Sequence, residues 1–171
     1  MHNRVKEKNN GFTLLELLIV IAVLAVLAGV LFVALDPASR LQDSRNAKRW
    51  TDVNAVLSAI KLDQVDNGGS YLASIAAMSD DTYYRIGEAT TGCDDICLNP
   101  SRSPQAACID LLNLIDEGYL ADVPIDPNAS GKSSNETGYY IYKYSSGQIS
   151  VGSCHEELGS NSSVQPIEAS R

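Results

Sequence analysis

Gly11-Phe12-Thr13-Leu14-Leu15-Glu16 opens a run that continues as uninterrupted apolar residues to Leu35, with Glu16 as its one charge. As a helix, residues 12–35 measure about 36 Å at roughly 1.5 Å per residue, enough to cross a hydrocarbon core of about 30 Å. The flank before the run carries Arg4, Lys6 and Lys8 against the single acid Glu7. That bias places the N-terminus in the cytoplasm and everything after Asp36 outside.

Ordinary explanations of such a segment fail. The apolar region of a secretory signal is about 7 to 15 residues long and ends in small residues at the cut. This run is longer, and Leu35-Asp36-Pro37 is a poor cleavage sequence. A lipoprotein is excluded because the first cysteine is Cys93. A plain single-span anchor leaves Glu16 unexplained, since a charge at mid-helix costs on the order of 3 kcal/mol on insertion scales, though less near an end, and intramembrane carboxylates are functional by default.

At these residues the chain resembles the prepilin family, the type IV pilins and the pseudopilins of type II secretion and DNA uptake. The family pattern is a short basic leader ending in Gly, then Phe, Thr, two Leu, and Glu as fifth residue of the mature chain. Gly11, Phe12, Thr13, Leu14, Leu15 and Glu16 match it at all six positions. The resemblance implies that a membrane aspartyl prepilin peptidase cuts between Gly11 and Phe12 and methylates the new amine of Phe12, so that the apolar segment is kept. It also implies a helical filament of many copies, raised by a pilus or secretion machinery with a cytoplasmic ATPase.

Cleavage creates a cation at Phe12, and a carboxylate in apolar surroundings has strong reason to find one. In a filament that cation belongs to a neighbouring subunit, which is the role the resemblance gives Glu16. Pairing within one chain is the alternative, because Phe12 and Glu16 are one helical turn apart. With apolar residues around its whole circumference, the helix must be enclosed by lipid before assembly and by other helices afterwards. Such an exchange has little hydrophobic driving force of its own. Gly29 is either a close-packing or melting point in that core or an ordinary membrane-helix glycine. Asp36-Pro37 is expected to kink or restart the helix.

From Ala38 to about Asp66 the chain turns amphipathic. Ala47, Trp50, Val53, Leu57 and Ile60 fall at spacings of three and four, predicting one apolar stripe with Trp50 as a core anchor. Arg45, Lys48 and Arg49 are expected on a solvated or subunit-contacting face. Asp66-Asn67-Gly68-Gly69 marks the stop.

The rest makes one small head, whose modest core benefits from covalent staples. Cys93, Cys97, Cys108 and Cys154 all lie on the outward side, where an even number reads as two disulfides; three connectivities are possible. Zinc is the rival, but paired C-x-x-C knuckles are missing and His155 is the one histidine of the head. Residues 80–105 read as an exposed, cysteine-bearing loop. Ile109 to Gly118 reads as a short helix closing on glycine. Val123-Pro124-Ile125-Asp126-Pro127 resembles, more weakly, a stretch common in pseudopilins.

Tyr139–Tyr144 and Gln148–Ser153 read as strands joined by Ser145-Ser146-Gly147. Alternation puts Tyr139, Ile141 and Lys143 on one face and Tyr140, Tyr142 and Tyr144 on the other, the latter row outward. After Glu157 the composition predicts a mobile tail. Asn128-Ala129-Ser130, Asn135-Glu136-Thr137 and Asn161-Ser162-Ser163 match a glycosylation pattern that is frequent by chance. From Asp36 onward 10 basic residues face 19 acidic ones, which argues against nonspecific DNA binding.

The predicted architecture is α+β and pilin-like: a long N-terminal helix, membrane-spanning then amphipathic, packed on a small antiparallel sheet. Its segments are a leader at 1–11, a membrane or filament-core helix at 12–35, an amphipathic continuation at 36–69, a head at 70–157 and a flexible tail at 158–171. No catalytic constellation, phosphate-binding loop or helical H-E-x-x-H is present, so an enzyme is not expected. No cofactor or metal is expected either, a calcium at Asp122, Asp126 and Asn128 being the lesser alternative because their spacing matches no defined calcium loop. The expected product is a type IV pilus subunit in the cell membrane, later in a surface filament. A secretion pseudopilin is the alternative, and a non-polymerising anchored protein a distant third.

Overall fold

The computed structural model describes residues 11–98, 101–128 and 131–171; the basic leader before Gly11 lies outside these, as do Asn99, Pro100, Ala129 and Ser130. The chain divides into two compact units, residues 1–37 and 38–171.

In the first unit, α1 (Leu14–Leu35) is a 22-residue helix whose described side chains are all exposed. Leu, Ile, Val and Ala occupy every side of it, so no face is set apart for a core. It ends at Asp36, whose backbone is left-handed at φ 37°. Pro37 opens the next helix, where its fixed φ and missing N–H cost nothing.

The second unit starts with α2 (Pro37–Asp66), followed by a single turn, α3 (Ala73–Ala76), and the strand β1 (Thr82–Arg85). A two-residue ribbon, β2 (Cys97–Leu98) and β3 (Ser101–Arg102), precedes α4 (Leu112–Asp116). The strands β4 (Tyr139–Lys143), β5 (Ile149–Ser153) and β6 (Glu168–Ser170) complete it. Among the described residues the main sheet is antiparallel with order β1-β4-β5-β6. Val53, Val56, Leu57, Ala59 and Ile60 of α2 share one buried cluster with Tyr139, Ile141, Ile149 and Val151 of the sheet, capped by Ile75, Leu111 and Leu114.

α2 stops where expected: Gly68 and Gly69 take positive φ, and the N–H of Gly69 reaches back to the carbonyl of Gln64 at 2.7 Å. The β4–β5 hairpin turns on Ser145-Ser146-Gly147, with Gly147 at φ 83°.

Four expectations need correction. Trp50 is not a core anchor: it is 43 % exposed, and Ala47 is exposed too. The buried face runs through Arg49, Asp52, Val53, Val56, Leu57, Ile60 and Asp63, because polar residues at its start meet partners inside the head. Tyr139 donates its hydroxyl to Asp52 at 2.8 Å, for example.

The loop expected at 80–105 contains β1, which pairs Tyr84 with Ile141. The C-terminal segment is not a free tail. Ile167 is buried, and β6 pairs with β5, held by Glu168, whose carboxylate accepts from Arg102 at 2.6 Å, from the Tyr140 hydroxyl at 2.7 Å and from Ser150.

Finally, the tyrosine row is only partly outward. Tyr140 is fully buried beneath Cys97, Cys154 and Tyr83, while Tyr142 and Tyr144 are half-buried and in ring contact at 4.6 Å. Cys97 pairs with Cys154 and Cys93 with Cys108, so the first of these bonds lays the β2–β3 ribbon over Tyr140. Tyr140 crosses its strand partner Gly152, where a Cβ would stand 2.2 Å from the hydroxyl.

Leu57→Ala is expected to cost about 2–5 kcal/mol in urea denaturation, as a cavity in a packed core does. Trp50→Ala is expected to cost under about 1 kcal/mol, as exposed substitutions do; a comparable loss for both would show that Trp50 is a core residue after all.

Candidate functional site

Two arrangements concentrate polar groups. The first is at the start of α1. Thr13 is its N-cap, with extended backbone, and its Oγ1 accepts the Glu16 N–H at 3.2 Å. Glu16 Oε2 in turn accepts the Thr13 N–H at 2.9 Å and the Thr13 hydroxyl at 2.7 Å. This reciprocal capping box satisfies two of the amide donors that any helix start leaves open, and it holds a carboxylate at the positive end of the helix dipole.

Among the described residues both of these bonds fall on Oε2, so Oε1 is left to a further donor. Glu16 thus lies against the peptide linking Phe12 to Thr13, and Phe12 itself is 78 % exposed. Thr13 was legible as the first residue of a T-x-x-E cap before an apolar run, a signal the residue-by-residue reading of the segment passes over.

The second arrangement is inside the head. The Arg49 side chain is 0 % exposed and gives two parallel bonds to Asp126, at 2.7 and 2.9 Å, and a third to Glu157 at 2.8 Å. Arg45 binds Glu157 from the neighbouring turn, at 2.6 and 2.7 Å. Further along, the N–H groups of Gly159 and Ser160 donate to Gln42 and Asp43 at 2.9 Å each. The segment after β5 is therefore strapped along α2.

Arg49 is accordingly not on a solvated face. Desolvation works against its charge, but the bonds to Asp126 and Glu157 outweigh it and raise its pKa above the ordinary arginine value. The same bonds, Arg45 first, hold the Glu157 carboxyl below the usual range. Asp126 and Asn128 do come together, the Asn128 N–H donating to Asp126 at 3.0 Å, but the positive charge they meet is Arg49. Asp122 lines a separate cleft with Glu88 and Asp110.

Next to the strap, Glu156 is buried. Ile167 N–H donates to its Oε1 at 3.2 Å, and its Oε2 has no partner among the described residues. Burial pushes its pKa up to about 7.

A model of the prokaryotic N-terminal methylation motif matches residues 6–32, which take in Gly11, Phe12, Thr13, Glu16 and most of α1. The chain therefore carries the signature of type IV pilins and pseudopilins, a class of structural subunits that prepilin peptidase processes and that assemble into pili or pseudopili. Its apolar helix fits the single-pass membrane anchor typical of that motif. No curated protein and no solved structure matches the chain.

Arg49→Ala is expected to cost about 3–5 kcal/mol in urea denaturation, because it strands Asp126 as a buried charge; a loss below about 1 kcal/mol would contradict the network. Glu156 adds a pH dependence. Its pKa is raised on folding, so the native state holds the extra proton and this contribution is whole below about pH 4.5, then lost as pH rises through about 7. Glu157 and Glu168 act oppositely, their folded pKa values being lowered, and lose their contributions only as pH falls below the ordinary carboxyl range. Glu156→Gln is expected to melt higher than the parent at pH 8 and level with it near pH 5; parallel melting curves across that range would contradict the assignment.

Proposed function

We propose that the chain is cut between Gly11 and Phe12, methylated on the Phe12 amine and polymerised through α1 into a type IV pilus. The observation that carries this reading is the bare apolar circumference of α1, with one carboxylate held at its start beside Phe12. Lipid encloses that surface while the subunit waits in the cell membrane with its head outside. Copies of the same helix enclose it in the filament, where Glu16 meets the Phe12 amine of a neighbour.

The capping box suits that exchange. Before assembly it gives the carboxylate local donors; at assembly a cationic amine is the stronger partner, because it brings a full opposite charge where Thr13 offers only neutral donors. The pilus machinery with its cytoplasmic ATPase supplies the work, since one apolar environment is traded for another. The product is a surface filament for adhesion, motility or DNA uptake.

A pseudopilin of type II secretion is the second reading, favoured by Asp126-Pro127. Against it stand the two disulfides, which major pseudopilins usually lack.

Glu16→Gln keeps the side-chain shape and removes the charge. It is expected to leave processing intact and to abolish filaments in micrographs of sheared cell surfaces, whereas normal filaments from that variant would contradict the pairing.

A further inference from the structure

At the far end of α2 lies an acidic group that filament assembly does not use. Asp63 is fully buried. Its Oδ1 accepts the Asn67 side-chain amide at 2.7 Å, while its Oδ2, buried as well, has no hydrogen-bond partner among the described residues. Asp63 opens on a cleft lined also by Asn67, Ser70, Tyr71, Asn113 and Glu117.

Glu117, itself exposed, lines the same cleft as Asp63. Desolvation first, and then the neighbouring Asp63 and Asp116 carboxyls, push its pKa up. Asp66 is close by and accepts the Tyr119 hydroxyl at 2.8 Å. Among the described residues no basic side chain forms an ion pair with Asp63, Asp66, Asp116 or Glu117. Lys61, the nearest along α2, is bound to Gln64 and the Tyr71 hydroxyl.

A buried carboxylate without a counter-charge costs several kcal/mol, and a second carboxylate on the same cleft adds to the need for a proton or a cation there. We propose that this cleft binds a divalent cation of the calcium class, with Asp63 Oδ2 and the Glu117 carboxylate as its charged ligands. This departs from the expectation of no metal drawn from sequence. The donors are all oxygen, which selects a hard cation over zinc or copper.

Asn113 lines the cleft as a neutral oxygen donor, and water completes the shell. An open, one-sided site of this kind suits calcium better than magnesium, which demands near-octahedral geometry. No three acidic, histidine or cysteine side chains converge among the described residues. The affinity therefore belongs with weak extracellular modules, at about 10⁻⁴–10⁻³ M. Bound there, the cation ties the last turn of α2 to the turn that follows α4.

The test uses the full chain in nonionic detergent with terbium, whose emission Tyr71 would sensitise from the cleft wall. The expected result is saturable terbium emission, displaced by calcium, and a melting temperature raised by a few degrees at about 5 mM calcium relative to a chelator. Glu117→Gln, at an exposed position, should weaken terbium binding by about tenfold or more and melt no lower than the parent in chelator. Asp122→Asn, in the separate cleft, should bind as the parent does.

Equal binding by the Glu117→Gln and parent proteins would overturn the site. So would melting curves that ignore calcium but rise between pH 7 and 5, the signature of a proton shared by the two carboxyls.

Discussion

An apolar helix surface with no face to hide cannot stand in water. The described side chains of α1 are exposed on every side, and at about 25 cal/mol per Å² of apolar area no arrangement of a modest head compensates for leaving them wet. Something outside the chain must cover α1. A bilayer does so by length and composition, and so does a bundle of identical helices. Because the two environments are nearly equivalent for hydrocarbon, the proposed assembly leaves the choice between them to the single carboxylate.

The head answers a different problem. Residues 38–171 form one compact unit around a small four-stranded sheet, and its core is completed by polar ties as much as by hydrocarbon. Arg49 lies where an amphipathic helix would ordinarily place Leu, and it joins α2 to Asp126 and Glu157 in one buried network. On the opposite face of the sheet, Arg102 stacks over the Tyr140 ring at 4.4 Å and pairs with Glu168, under the ribbon that Cys97–Cys154 fastens down. The two clusters fix the C-terminal segment from both sides, so the head reads as one cooperative body to its last residues.

What was legible in the sequence had local causes. The end of α1 at Asp36-Pro37, the glycine stop of α2 and the Gly147 hairpin are each dictated by residues within a turn of one another, and the structure has them where the residues put them. What was not legible depends on contacts across the chain. Trp50 and Arg49 are neighbours on α2, and an apolar count picks the tryptophan; only Asp126, 77 residues away, makes the arginine the buried one. β1 is four residues long, too short to show an alternation, and becomes a strand through β4. β6 is polar because its glutamate has three donors waiting, which composition reads as solvent exposure. Tyr140 follows the predicted alternation yet is buried, since nothing in the strand reveals the disulfide-held ribbon above it. The pairing of the cysteines is likewise a property of the fold and not of their spacing.

The proposed exchange of lipid for neighbouring helices requires that α1 outlast maturation and that its first nitrogen become a free, methylated amine. Intact-mass and N-terminal peptide spectrometry of the mature protein addresses this most directly. A chain beginning at Phe12 and carrying one N-terminal methyl group is the predicted result. Mature protein that retains residues 1–11, or that begins beyond Leu35, would contradict it.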